Sequence, residues 1–460
     1  METVMQVKKF MEPESVALVG VSRDAGEGSF NVLRHILSYG YQGRLYPINP
    51  NATDILGVKT YSSIADVRDN IDLAVITTPR ELVPRLVGEC GKKNVRSVVI
   101  VAQGFADARD DQGMRLQKEL SDIARSSQIR VLGPNTFGVA NAFNNFCSSF
   151  VEVKMKRNPI GLICQSGVFF VGFLQGELVG KGIDIGNACD ISCADCLMYF
   201  EDDPDIKVVS MHIEGMQDAY GFIDVAARVA CKKPLIALKT GNTERAARAA
   251  QSHTGSLTGS NEVWEASLKQ AGVIRAGDLQ ELVDLTNAFS VLPLMEKTKI
   301  GIVTFTGGLG IMAMDSCQKY NLELGDLSSE TMKLLNNEAP PWLNVGNPVD
   351  IWPVMMFANP MTRPLIDALR SLLSDEQIGA VLFIFGAFEE TFTKEICLIL
   401  SDLAMDYEKK PFACAIYGPY CNKSIKDLQS TGRIAAFPTP ERAVRALARL
   451  KEYSQFRMGI

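Results

Sequence analysis

A chain of 460 residues, 47% hydrophobic and 22% charged, has room for about three domains, each with its own core. A net charge of −6, with no Lys/Arg block and no aromatic residues interleaved with basic ones, argues against a nucleic-acid or anionic-membrane surface. No apolar run approaches the roughly 18–20 residues of a membrane span, and Met1-Glu2-Thr3-Val4-Met5-Gln6 does not open a signal peptide, so a cytoplasmic protein is expected.

The apolar run 15–21 ends in a Gly/Ser-bearing loop and leads to helical spacing over 31–39, the opening β-turn-α of a nucleotide-type fold. Gly20, Gly26 and Gly28 do not spell G-x-G-x-x-G, so a dinucleotide fingerprint is absent and an NAD-dependent oxidoreductase is disfavoured; a ligand of CoA size is compatible. Strands are expected at 44–48, 73–77, 97–101 and 130–132, with helices at 81–92 and 112–125 between them. Such alternation predicts a parallel sheet with ligands at the carboxyl ends of its strands. Those ends carry Gly20 and Ser22, Asn49-Pro50, Thr78-Pro79, Gln103-Gly104 and Gly133-Pro134-Asn135, singly ordinary turn residues, together a candidate cleft.

After the connector 154–159, a second α/β unit opens with strand 160–164, which passes through Gln165-Ser166-Gly167 into a helix over 168–179. Cys189, Cys193 and Cys196 have a spacing that some iron–sulfur enzymes use, but they sit where a helix begins and read as small apolar packing residues. The eleven cysteines are odd in number and mostly set in apolar stretches, which suits reduced core thiols. Strand 207–212 ends at Glu214-Gly215, which puts a carboxylate on the expected ligand edge; His212 lies inside the strand and reads as core, and His35 as structural. A helix over 222–231 and a strand over 234–239 follow. The chain then enters Gln251-Ser252-His253-Thr254-Gly255-Ser256, a histidine among glycines and hydroxyl residues, ahead of a helix at 261–270. Small residues at a strand-to-helix crossing let backbone N–H groups approach an anion.

Pro293 and a charged turn break the pattern, and a third unit starts with strand 300–304, runs through Thr306-Gly307-Gly308-Leu309-Gly310 and enters a helix over 311–320. Strands at 380–385 and 412–416 and a helix at 440–453 complete another doubly wound unit. The fold expected is thus α/β with three doubly wound domains: 1–145 Rossmann-like, 146–295 carrying the histidine loop, and 296–460 flavodoxin-like.

Ser252-His253-Thr254-Gly255, Glu214-Gly215, Gln165-Ser166-Gly167, Leu132-Gly133-Pro134-Asn135 and Thr306-Gly307-Gly308-x-Gly310 together resemble the alpha subunit of ADP-forming acyl-CoA (acetyl-CoA) synthetases, in the succinyl-CoA synthetase superfamily. The resemblance spans nearly the whole chain. It implies a CoA-binding domain followed by two ligase domains, and an acid-thiol ligase that interconverts acyl-CoA, ADP and phosphate with free acid, ATP and CoA. It implies His253 as the residue that carries the phosphoryl group and Glu214 as the carboxylate that orients it. Gln165, Ser166, Gly167, Thr254, Gly255, Gly307 and Gly308 would hold phosphate; Gly20, Ser22, Asn49, Thr78, Pro79, Gln103, Gly133, Pro134 and Asn135 would line the CoA site. No ATP-grasp region and no Walker A sequence is recognisable, so the resemblance places ATP/ADP and Mg2+ on a separate ATP-grasp beta subunit, in a hetero-oligomer such as α2β2. The alternative of another class is a non-catalytic CoA-binding regulatory module, against which His253 and Glu214 both argue.

Overall fold

Fully buried parallel strands need apolar residues on both faces, and Ser15-Val-Ala-Leu-Val19 supplies them without interruption. The computed structural model describes residues 2–24, 26, 29–108, 110–172, 180–246 and 260–459. The chain divides into two compact units, Met1–Leu282 and Val283–Ile460.

In the first unit, helix α1 (Glu2–Met11) buries Val7, Phe10 and Met11. Strands β1 (Ser15–Val19), β2 (Arg44–Ile48), β5 (Leu73–Ile76), β6 (Ser97–Ile100) and β7 (Arg130–Leu132) form a parallel sheet in the order β2-β1-β5-β6-β7, with a small antiparallel ribbon of β3 (Asp54–Ile55) and β4 (Val58–Lys59) beside it. Helices α2 (Val32–Ser38), α3 (Val83–Lys92) and α4 (Asp111–Ser126) make the crossovers. Asn31 and Asp110 start α2 and α4 by accepting the N–H of Arg34 and Gly113. The strand order reverses between β1 and β5, which opens a crevice at the carboxyl edge.

A second sheet in the same unit runs β14-β13-β12-β10-β11-β8-β9. Its strands are β8 (Gly138–Asn141), β9 (Phe146–Cys147), β10 (Ile160–Cys164), β11 (Lys181–Asp184), β12 (Val208–Ile213), β13 (Leu235–Lys239) and β14 (Ile274–Ala276), parallel except where β8 meets β11 and β9. Helix α5 (Gly167–Gly172) follows β10, α6 (Cys193–Glu201) and α7 (Ala219–Ala230) flank β12, and α8 (Asn261–Gln270) precedes β14. Ser192 and Asp195 close a capping box on α6, so Cys193 and Cys196 occupy the buried face of an ordinary helix start. Burial pushes Cys189 and Cys193 up to about 12 and Cys196 well above its usual value, so these sulfurs are held as neutral thiols.

Helix α9 (Leu279–Val291) crosses the division between the units. The second unit is a parallel sheet in the order β16-β15-β18-β19-β20: β15 (Lys299–Thr304), β16 (Glu323–Leu324), β18 (Ala380–Gly386), β19 (Phe412–Tyr417) and β20 (Ile434–Phe437), with β17 (Val349–Asp350) against the end of β15. Helix α10 (Gly307–Lys319) begins at the glycines, four residues before the apolar periodicity becomes readable. Helices α11 (Ser329–Glu338), α12 (Trp352–Met355), α13 (Arg363–Ser374), α14 (Glu390–Asp406), α15 (Cys421–Ser430) and α16 (Pro440–Met458) cover the sheet. Among the described residues, no helix is long and apolar enough to cross a membrane.

Candidate functional site

The carboxyl ends of the first sheet are joined edge to edge by backbone hydrogen bonds. Gly20 donates to Ile48 (3.0 Å), Thr77 to Val19 (3.0 Å), Val101 to Ile76 (3.0 Å) and Asn135 to Ala102 (2.9 Å). Strand order therefore lines up Asn49, Gly20, Thr78, Gln103 and Gly133 along one edge. Gly20 has φ +84°, and a Cβ there would stand 2.3 Å from Thr78 Cγ2, so only glycine fits. Asn49 Nδ2 donates to the Val21 carbonyl (2.9 Å), and the Ser22 hydroxyl accepts the Asp24 N–H (3.0 Å), both fixing the loop after β1. Pro79 caps the short 3-10 turn Arg80–Leu82, and Gln103 is exposed. Among the described residues Thr78 Oγ1 is buried without a hydrogen-bond partner, which leaves a polar atom at this edge for a ligand group.

The Gly133-Pro134-Asn135 turn ties this edge to the second sheet. Asn187 N–H donates to the Pro134 carbonyl (2.9 Å), Cys189 N–H to that of Gly133 (3.1 Å), and Asn187 Nδ2 to Asp107 (2.8 Å). Asp184, at the end of β11, accepts the Phe137 N–H at 2.7 Å, and burial pushes its carboxyl up to about 6. One strand along, β10 ends at Gln165-Ser166-Gly167, where Phe137 fills the space a side chain at Gly167 would take: a Cβ would lie 1.5 Å from its ring. The glycine is thus explained by ring packing within this unit.

The sequence presents Gln165 as a phosphate contact. In the structure its buried amide is spent on the next strand end: Oε1 accepts the N–H groups of Glu214 (2.6 Å) and Gly215 (3.1 Å), and Nε2 donates to the Gly215 carbonyl (2.8 Å). A residue that sequence reasoning passes over completes the clamp. Lys239, last in β13 and 2% exposed, donates through Nζ to the Glu214 carbonyl (2.9 Å) and to that of Thr240, with the Trp264 ring centroid 5.6 Å away. Burial, then Arg275, push its ammonium down to about 8, against the opposing effect of Glu214. The signal in the sequence is a lysine closing an otherwise apolar strand, Leu-Ile-Ala-Leu-Lys239.

His212 is 3% exposed, stacked on Phe169 (centroids 3.8 Å apart), with Nε2 3.2 Å from Thr240 Oγ1. Burial, then Lys239, push it down to about 4, so it is neutral near pH 7 and built into the core. His35 lies in the last turn of α2, also lowered by burial. His253, Thr254 and Gly255 lie outside the described residues. Flanking them, Lys239-Thr240 ends β13 and Ser260 caps α8 by accepting the Val263 N–H.

In the second unit, Gly307 and Gly308 do open a helix, but Asp350 Oδ2 lies 3.4 Å from where a Gly307 Cβ would stand. Burial raises this carboxyl. An anion approaching that helix start meets a carboxylate already there. A groove of about 770 Å3 in this unit, lined by Lys297, Gly379 and Lys410 among others, opens at the amino ends of the strands, opposite the edge where ligands of parallel sheets sit. Among the described residues no group of three or more His, Cys, Asp or Glu could hold a metal ion.

The family model for a CoA binding domain matches residues 14–142, and that for a succinyl-CoA ligase like flavodoxin domain matches residues 157–289. The alpha subunit of acetate–CoA ligase [ADP-forming] I from Pyrococcus furiosus is 33% identical over 98% of this chain and 99% of its own. The chain belongs to the ADP-forming acetate–CoA ligase family. Acetate–CoA ligase [ADP-forming] of Methanocaldococcus jannaschii is 36% identical over 98% of this chain, but the chain spans only 63% of that relative's length. Dinucleotide-forming acetyl-coenzyme A synthetase 1 of Ca. Korarchaeum cryptofilum, solved in complex with phosphate and ADP, superposes with a TM-score of 0.90 at 30% identity, covering 98% of this chain and 97% of that one. The fold is that of this family: α/β, with a CoA-binding domain and a flavodoxin-like ligase domain.

Proposed function

We propose that this chain is the alpha subunit of an ADP-forming acyl-CoA synthetase whose phosphoryl carrier is His253. Phosphate attacks the acyl-CoA carbonyl and expels the CoA thiol, giving acyl phosphate. The His253 imidazole, neutral near pH 7, then takes the phosphoryl group and releases the carboxylate. ADP finally takes the phosphoryl group from His253, giving ATP and free imidazole. Glu214 accepts a hydrogen bond from the other ring nitrogen, fixing the tautomer and stabilising the positive charge that the ring gains. Gly20, Ser22, Asn49, Thr78, Pro79 and Gln103 hold the nucleotide part of CoA, and Gly133-Pro134-Asn135 leads its thiol toward the second sheet. Ser166, Gly167, Thr254 and Gly255 take the phosphate. The three-domain division at 145 and 295 belongs to this reading.

The observation that carries it is the carboxyl edge that runs from Asn49 to Glu214, because it joins the strand-end turns of the CoA-binding domain to a carboxylate at the end of β12, beside β13. ADP, with the Mg2+ that neutralises its phosphates, belongs to an ATP-grasp beta subunit in a cytoplasmic hetero-oligomer. The two-chain arrangement is supported by the Pyrococcus alpha subunit's near-complete match. The test is turnover with acyl-CoA, phosphate and ADP: the purified chain alone should make no ATP, and adding an ATP-grasp subunit should start synthesis. ATP made by this chain alone would overturn the two-subunit reading.

A further inference from the structure

Every backbone polar group of Glu214 and Gly215 has a partner: Gln165 takes both N–H groups and the Gly215 carbonyl, and Lys239 takes the Glu214 carbonyl. A leucine or methionine would pack at position 239 without the desolvation cost of an ammonium. Instead the strand closes on a cation that makes no ion pair within 4 Å among the described residues, held by two carbonyls and facing Trp264. We propose that Lys239 is a positioning residue for Glu214, pinning its carbonyl and fixing a positive charge beside that strand end.

The inference rests on the role given to Glu214 above and extends it to β13. The charge acts in two ways. It favours the ionised form of the Glu214 carboxylate, which is the form that accepts from an imidazole N–H. It also offsets the negative charge that phosphate brings to the edge. Among the described residues, the groups facing the ammonium are His212 of β12, Glu214 just after it and Arg275 of β14, with Glu265 of α8 paired to Arg275 at 3.6 Å. His212, pushed down to about 4, is already neutral there, while burial and Arg275 push the Lys239 ammonium down to about 8, so the alkaline change is expected from Lys239.

The experiment uses the chain assembled with its ATP-grasp subunit and follows rapid labelling of the chain by labelled ATP and Mg2+ from about pH 6 to about pH 10. The wild-type rate should fall as pH rises through about 8. Lys239→Met should label about ten- to a hundredfold more slowly, as expected for loss of a charge-assisted hydrogen bond, with CoA affinity unchanged and the alkaline fall gone. Lys239→Gln, which keeps a neutral donor, should lie between and also lose the fall; it decides the matter if the methionine variant does not fold. A wild-type profile flat through pH 8, a variant labelling at the wild-type rate, or a slower variant that keeps the alkaline fall would each overturn the proposal. Wild-type enzyme that takes no label at all would instead overturn the functional reading on which it rests.

Discussion

At the scale of single residues, Glu214 and His212 lie two positions apart and face opposite demands. Glu214 caps its strand at the ligand edge, half-buried, with its backbone fixed by Gln165 and Lys239. Glu214→Gln keeps size and hydrogen bonding but removes charge, so labelling of the assembled enzyme should slow about ten- to a hundredfold, the loss of one charge-assisted bond worth about 1.5–3 kcal/mol; an unchanged rate would remove Glu214 from the mechanism. His212 is held neutral, its folded value of about 4 lying below the ordinary 6.5. Its contribution to stability is therefore present above pH 6.5 and lost as pH falls through about 4. Asp184 has the opposite sign: its folded value of about 6 lies above the ordinary 3.8, so its contribution is present below 3.8 and lost as pH rises through about 6. Comparing His212→Phe with wild type by denaturant unfolding cancels the Asp184 effect. The variant should gain on wild type below pH 6.5 by an amount on the order of 3 kcal/mol by pH 4, with a constant difference above pH 6.5.

At the scale of elements, the strands carry the stability and their ends carry the proposed site. Gly20→Val tests the first edge: a side chain there strikes Thr78 and strains a positive φ, so calorimetry should find CoA binding weakened at least about tenfold, while Thr78→Val, which removes only the unpartnered hydroxyl, should cost less. Equal binding by Gly20→Val and wild type would move the CoA site elsewhere. These elements were legible in the sequence because β1, β5, β6, β10, β12 and β13 are short apolar runs buried on both faces and bounded by turn residues. Strand β11 was not. The sequence reading passes over Lys181-Gly-Ile-Asp184, whose charges are tolerable in a buried strand because Lys181 meets Asp203 (2.7 Å) and Asp205 (2.9 Å) and Asp184 meets the Phe137 N–H. Gln165 and Lys239 were hidden for the same reason. Their partners, Glu214 and Gly215, stand about fifty and twenty-five residues away, and sequence spacing records neither bond.

At the scale of the whole molecule, the first unit unites two sheets whose carboxyl edges are bonded through Gly133, Pro134 and Asn187, and the proposed function places the thioester on one and the phosphoryl transfer on the other. The most direct measurement is the site of phosphorylation in the assembled enzyme after incubation with labelled ATP and Mg2+. Phosphohistidine survives base and is lost in acid, and the account predicts such label on His253 of this chain, abolished in His253→Asn because an amide is not a nucleophile. Label on His212 or on a serine, or normal turnover by His253→Asn, would contradict it.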